Sequence, residues 1–153
     1  MYYAKFMESI DILNTFSKII SIIINPLLVA PLSFAIMIYL DASLEMKHIF
    51  FFISFLFTSI LPLITIYNFI QSGKVSSFDA PIKEQRIELL AIAAIYYAAG
   101  FIILWYMGAP PIVTGLMFCY AVNTAIVWRI TMAWKISIHM IGLGGPIVAL
   151  WLA

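Results

Sequence analysis

At 153 residues, with 65% hydrophobic and 10% charged side chains and a mean hydropathy of +1.09, the chain is too apolar for a water-soluble domain, in which about a quarter of residues carry charge. A net charge of +1, from 8 basic and 7 acidic residues, leaves no basic patch able to neutralise a run of nucleic-acid phosphates, which excludes nucleic acid as a partner. The single cysteine, Cys119, excludes an internal disulfide and a cysteine-based metal cluster.

A bilayer core of about 30 Å takes roughly 20 helical residues. Apolar runs of that order predict an all-α, polytopic transmembrane bundle of about five spans, forming a single integral membrane domain over 1–153. The opening stretch, MYYAKFMESIDILNTFSK, carries Glu8 and Asp11 among spread apolar residues. It reads as an amphipathic lead-in at the membrane surface and not as a cleaved signal peptide. The first span is expected near 19–40, kinked by Pro26 and Pro31. The second is expected near 49–70, rich in Phe and with Pro62 inside. The third is expected near 89–107, stopped by GAPP at 108–111. Its helix should begin earlier, near Ala80, with Asp79 as the N-cap and Pro81 in the first turn.

From Ile112 to Ala153 the chain is too long for one span, yet it has neither Gly nor Pro between Leu116 and Ile141. The turn is placed in WRITMAWK, 128–135, because Arg129 and Lys135 are the only charges there and charge in hydrocarbon costs several kcal/mol. That gives a fourth span near 112–127 and a fifth near 136–153. With these spans, every Lys and Arg except Lys47 falls on one face: Lys5, Lys18, Lys74, Lys83, Arg86, Arg129 and Lys135. The bias predicts a cytoplasmic N-terminus and keeps its sign when Lys83, Arg86, Arg129 and Lys135 are left out as site residues.

The most extended polar stretch outside the N-terminal segment is QSGKVSSFDAPIKEQRIE, 71–88. On a helix starting there, Lys83 and Arg86 share one edge and Glu84 and Glu88 another. A helix end decorated only for solubility would interleave its signs in i, i+4 pairs, whereas sorted cations suit an anion. The plain alternative is that both cations snorkel at the interface. Further on, WKISIHMIGLGG, 134–145, aligns Lys135, His139 and Gly142 in one stripe whose deep end is small enough for close backbone approach. Ser137 lies behind the stripe, joining it if the helix starts later than Lys135 and otherwise bonding the preceding turn. A lone intramembrane histidine also serves as a hydrogen-bond partner between helices, as Asn123 and Thr124 are expected to do. By topology Lys83, Arg86, Arg129, Lys135 and His139 gather on one face. They suit an anionic headgroup better than a metal ion, which wants convergent His and carboxylate ligands.

Together, IKEQRIE and WKISIHMIGLGG resemble a branch of small prokaryotic membrane proteins in the type 2 phosphatidic acid phosphatase superfamily, over roughly Asp79 to Pro146. The resemblance implies a lipid or isoprenoid phosphate substrate (phosphomonoester or pyrophosphate), a phosphohistidine intermediate, and neither metal nor other cofactor. Ser137 and His139 match the Ser and His of the family's Pro-Ser-Gly-His motif, with Ile136 and Ile138 in place of its Pro and Gly. His139 would then be the general acid for the leaving oxygen, a task for a side chain titrating near neutrality. Lys83 and Arg86 resemble the family's first motif, more closely spaced and with Ile87 where it has Pro. They would hold phosphate oxygens, Arg in a fork and Lys as a point charge, aided by Lys135 and Arg129. The third motif, which supplies the nucleophilic His, has no match: beyond His139 there is no Arg, His or Asp. His48 belongs by span count to the opposite face, out of reach of the phosphorus.

The expectation is therefore a phosphatase-like protein of a prokaryotic cell membrane, its motif face cytoplasmic. Since the sequence stops abruptly at ALWLA, the third motif is expected on a longer chain. The alternative is a non-catalytic protein that binds anionic lipid or assembles with other membrane subunits, with oligomer formation left open. Transport is disfavoured by the few ionisable groups within the spans. Prenyl- and CDP-alcohol transferases are disfavoured because Asp79 is not part of an Asp-rich motif.

Overall fold

The computed structural model describes residues 25–41, 44–76 and 82–134, and all of its elements are helical. They are α1 (Pro26–Leu40), α2 (Lys47–Phe55), α3 (Leu61–Gln71), α4 (Lys83–Tyr106) and α5 (Pro111–Ala133), with a π-helical turn, Leu56–Ile60, fusing α2 to α3. Three stretches, Lys47–Gln71, Glu84–Tyr106 and Pro111–Ala133, are long and apolar enough to cross a membrane. They correspond to the expected second, third and fourth spans. The expected fifth, 136–153, lies outside the described residues, as does most of the first before Asn25.

What was expected as a kink at Pro26 is the start of a helix. Asn25 is extended, with φ −63° and ψ 125°, and its side chain accepts the Leu27 N–H at 3.0 Å. Its carbonyl takes the next two N–H groups, of Leu28 and Val29, at 2.9 and 3.0 Å. Pro26 at the first helical position has no N–H to satisfy. The first turn is thus closed within four residues, and 19–40 is not one continuous helix. Pro31, by contrast, lies inside α1 without ending it.

Pro62 has a different local outcome. It is buried and cannot donate to the carbonyl of Thr58 four residues back. The helix widens just before it, so that the Leu61 N–H bonds Leu56, five residues back. This wider turn keeps Lys47–Gln71 continuous through the proline.

α4 begins at Lys83 and not near Ala80, because Ile82 is extended, with φ −90° and ψ 132°. Asp79 and Ala80 lie outside the described residues. The chain just before is held back against the helix, where the Ser76 N–H and hydroxyl both donate to Gln85 Oε1, at 3.4 and 3.3 Å. GAPP ends α4 as expected. Gly108, at φ +71°, is in the left-handed region that favours glycine, and Ala109 N–H bonds the Leu104 carbonyl at 3.0 Å. α5 then runs past Val127 to Ala133, with no breaker in between, and the chain turns extended only at Trp134. At 23 residues it is about 35 Å long, more than the roughly 30 Å hydrocarbon core, so Arg129 can reach the interface from within the helix.

The pairs α1 and α2, α3 and α4, and α4 and α5 are each antiparallel, as their contacts establish. Leu27 meets Ser59 while Tyr39 meets His48; Thr65 meets Tyr96 while Lys74 meets Glu88; Tyr97 meets Tyr120 while Phe101 meets Phe118. α4 and α5 pack along their length, and α1 joins them through Phe34 against Tyr120, ring centroids 6.1 Å apart. Phe34, Ile38, Phe50, Leu104, Val113 and Met117 are fully buried between them. One end of the bundle carries the α1–α2 and α4–α5 connections. We call it the Gly108 end, and the opposite one, with the α3–α4 connection and the close of α5, the Gly73 end.

Candidate functional site

At the Gly73 end, α3 closes on a left-handed glycine, Gly73, at φ +73°. The Gly73 N–H bonds the Ile70 carbonyl at 3.0 Å, and Lys74 and Val75 both donate to Phe69. This turn lays the Lys74 ammonium over the Phe69 ring, 4.8 Å from its centroid, and 3.2 Å from the Glu88 carboxylate on α4. Both partners of the ion pair are more than half exposed. The pair was not legible in the sequence, where Lys74 contributed only to the charge count. It gives the sorted signs of α4 a partly structural cause, since Glu88 on the acidic edge answers Lys74.

The cationic edge begins at Lys83, the first residue of α4. Arg86, one turn on, is half-buried and already engaged in an interaction. Ile82, the N-cap of α4, makes no side-chain cap hydrogen bond, and the first-turn N–H groups and the positive end of the helix dipole belong to the same turn as Lys83 and Arg86. That combination favours an anion.

Arg129 comes from the other helix of the hairpin, α5. The register that pairs Tyr97 with Tyr120 and sets Gly100 against Met117 brings Arg129 level with the first turns of α4, where Arg86 and Glu88 sit. Arg129 is exposed, and its guanidinium is 3.5 Å from the Met132 sulfur, a weak acceptor. The fold thus puts Lys83, Arg86 and Arg129 at one end of the bundle. Lys135, Ser137 and His139, with Gly142 beyond them, lie outside the described residues.

His48, the other histidine, is at the Gly108 end. Its Nδ1 is 2.8 Å from the Tyr39 hydroxyl, and the two rings lie 5.6 Å apart. The full length of the long helix separates it from Arg86. Among the described residues, no three of His, Cys, Asp and Glu gather in a way that could hold a metal ion.

Compared with family models, with curated proteins and with solved structures, the chain matches none.

Proposed function

We propose that this protein is a membrane-embedded, phosphatase-like protein that holds the phosphate of a lipid or isoprenoid phosphate at the Gly73 end. Its cations are Lys83, Arg86, Arg129 and Lys135, with Ser137 as a further phosphate contact and His139 as the general acid. The observation that carries this reading is the arrival of Lys83 and Arg86 from α4 and Arg129 from α5 at one end of an antiparallel hairpin, beside a helix N-terminus whose N-cap, Ile82, makes no side-chain cap hydrogen bond. Cations at a helix N-terminus at the edge of the hydrocarbon match a phosphate on a lipid tail in both charge and depth. The proposed setting is a prokaryotic cell membrane with this end cytoplasmic.

A second reading, a non-catalytic binder of anionic lipid, is favoured by the position of His48. With that side chain bonded to Tyr39 at the opposite end, this chain offers no histidine besides His139 that could attack phosphorus. The two readings share the binding site and separate on chemistry.

The test uses the purified chain, neutral-lipid vesicles with and without phosphatidic acid or an isoprenyl phosphate, and readouts of both binding and phosphate release. Lys83→Ala and Arg86→Ala should each weaken binding about fivefold, on the basis of roughly 1 kcal/mol per basic residue near the surface. If the chain hydrolyses, His139→Ala should abolish release and spare binding. Binding without release selects the second reading, and equal affinity for neutral and phosphate-bearing vesicles rejects both.

A further inference from the structure

Hydroxyl groups on helices in hydrocarbon ordinarily bond the carbonyl one turn back on their own helix. Ser33, Ser54, Thr58 and Thr65 all do so, donating to Val29, Phe50, Ser54 and Leu61 at 2.8, 2.8, 2.6 and 3.0 Å. Ser59 differs. Its hydroxyl leaves its own helix and donates to the Leu27 carbonyl of α1, 2.8 Å away. The reason lies in α1, where the donor to Leu27 should be the N–H of the residue four places on. That residue is Pro31, which has none. Ser59 therefore supplies the hydrogen that Pro31 withholds, at a site where no water is at hand to do so.

Several features of α1 let its first turns separate from the long helix. Its 15 residues give about 22 Å, less than a bilayer core. It is bounded by extended backbone at Asn25 and at Asp41, the latter with φ −82° and ψ 98°. Its first-turn N–H groups are satisfied locally by Asn25, so moving it exposes no donor there. Near the start of α1 the Leu27 carbonyl is bonded by Ser59 of the π-helical turn, and at its far end Tyr39 bonds His48. Ser59 itself is 1% exposed.

We propose that α1 is a half-spanning strap whose first turns are latched to the long helix at mid-span by the Ser59 hydroxyl on the Leu27 carbonyl, and lift from it when that bond opens, while Phe34 and Ile38 in the core and Tyr39 on His48 hold the rest of α1 in place. The latch does not depend on the headgroup site, since its residues lie at mid-span and not at the Gly73 end.

The test is a double-mutant cycle of Ser59→Ala and Pro31→Ala on the full chain with Cys119→Ser. The readouts are thermal unfolding in micelles and the distance distribution between spin labels at Leu32 on α1 and Phe118 on α5, both exposed to lipid. With Pro31 present, Ser59→Ala orphans the Leu27 carbonyl, so Tm should fall by several degrees and the distance distribution should broaden or split. With Pro31→Ala, residue 31 regains an N–H for Leu27. Adding Ser59→Ala should then lower Tm by less than a third as much and broaden the distances no further. Ser59→Thr, which keeps a hydroxyl, should preserve the parent distribution. If Ser59→Ala alone fails to fold, folding of the double variant supports the latch, and its failure overturns it. Equal falls in Tm in both backgrounds, or an unchanged narrow distribution in Ser59→Ala, also overturns it.

Discussion

The two halves of the bundle solve the membrane's hydrogen-bonding problem differently. The α4–α5 hairpin has no proline within either helix beyond Pro111 at the start of α5, so its interior backbone groups can pair along each helix. The half built from α1, α2 and α3 carries Pro31 and Pro62 inside its helices, and each removes a donor from a place water does not reach. Among the described residues, the buried serines, Ser33, Ser54 and Ser59, are in that half, together with Thr58. Even in the hairpin, buried Thr114 bonds back to Pro110 and Pro111, at 3.3 and 3.1 Å. At Pro31 the lost donor is replaced by the Ser59 hydroxyl, whereas Thr131, buried on α5, has no proline beside it. Among the described residues, the proline-bearing half thus buries more serine and threonine hydroxyls than the hairpin.

The largest expected effect is at the seam between the halves, where Gly100 of α4 meets Phe57 of the π-helical turn. A methyl group at residue 100 would lie 3.0 Å from Phe57 Cβ, 3.1 Å from its Cγ and 3.2 Å from Met117 Cε. Met117 can swing its end away, but Phe57 Cβ is fixed to the backbone. Gly100→Ala should therefore destabilise by about 1–3 kcal/mol, as overpacking does, measured by unfolding in mixed detergent micelles. Gly115 is the control, because nothing lies within 4 Å of its added methyl. Gly115→Ala should be neutral or stabilise by up to about 1 kcal/mol through helix propensity. Equal effects at the two glycines would mean that the seam is not tightly packed.

A smaller effect is expected at the second contact across the seam, the 2.9 Å hydrogen bond between the Thr65 and Tyr96 hydroxyls. Thr65 also bonds Leu61 at 3.0 Å, so it is not orphaned when Tyr96 loses its hydroxyl. Tyr96→Phe should cost about 0.6 kcal/mol, the usual worth of an interhelical hydrogen bond in membranes, in the same unfolding measurement. A loss of 2 kcal/mol or more would show the halves to be joined by polar contacts more than by packing.

Hydropathy made the three long helices legible, because a span in lipid is set by length and apolarity alone. GAPP was equally readable as the end of α4, since glycine and proline act through their own backbone. Local signals failed where the outcome depends on a distant partner. Pro26 and Pro62 look alike in sequence, yet one starts a capped helix and the other is absorbed in a widened turn. The end of α5 was read too early because Arg129 was treated as a stop, whereas a helix longer than the hydrocarbon core carries such a charge to the interface. At the candidate site, Lys83, Arg86 and Arg129 could be assigned to one face by counting spans. The pairing of Lys74 with Glu88 could not, because it depends on the path of the chain after Gly73.

That ion pair joins the halves at their polar edge and is the smallest expected effect. Its ammonium and carboxylate are 3.2 Å apart but 56% and 60% exposed, so water screens their attraction and both side chains lose freedom in meeting. Such pairs are worth about 0.2–1 kcal/mol, and a double-mutant cycle of Lys74→Ala and Glu88→Ala should return a coupling in that range. The Lys74 stem also covers Phe69, so Lys74→Ala alone should cost slightly more than Glu88→Ala alone. Raising salt toward about 1 M, where charges are screened within roughly 3 Å, should erase the coupling and leave this difference between the single variants. A coupling that survives high salt would mean that the pair is withdrawn from water, and the seam would then be closed at its polar edge as firmly as it is at Gly100.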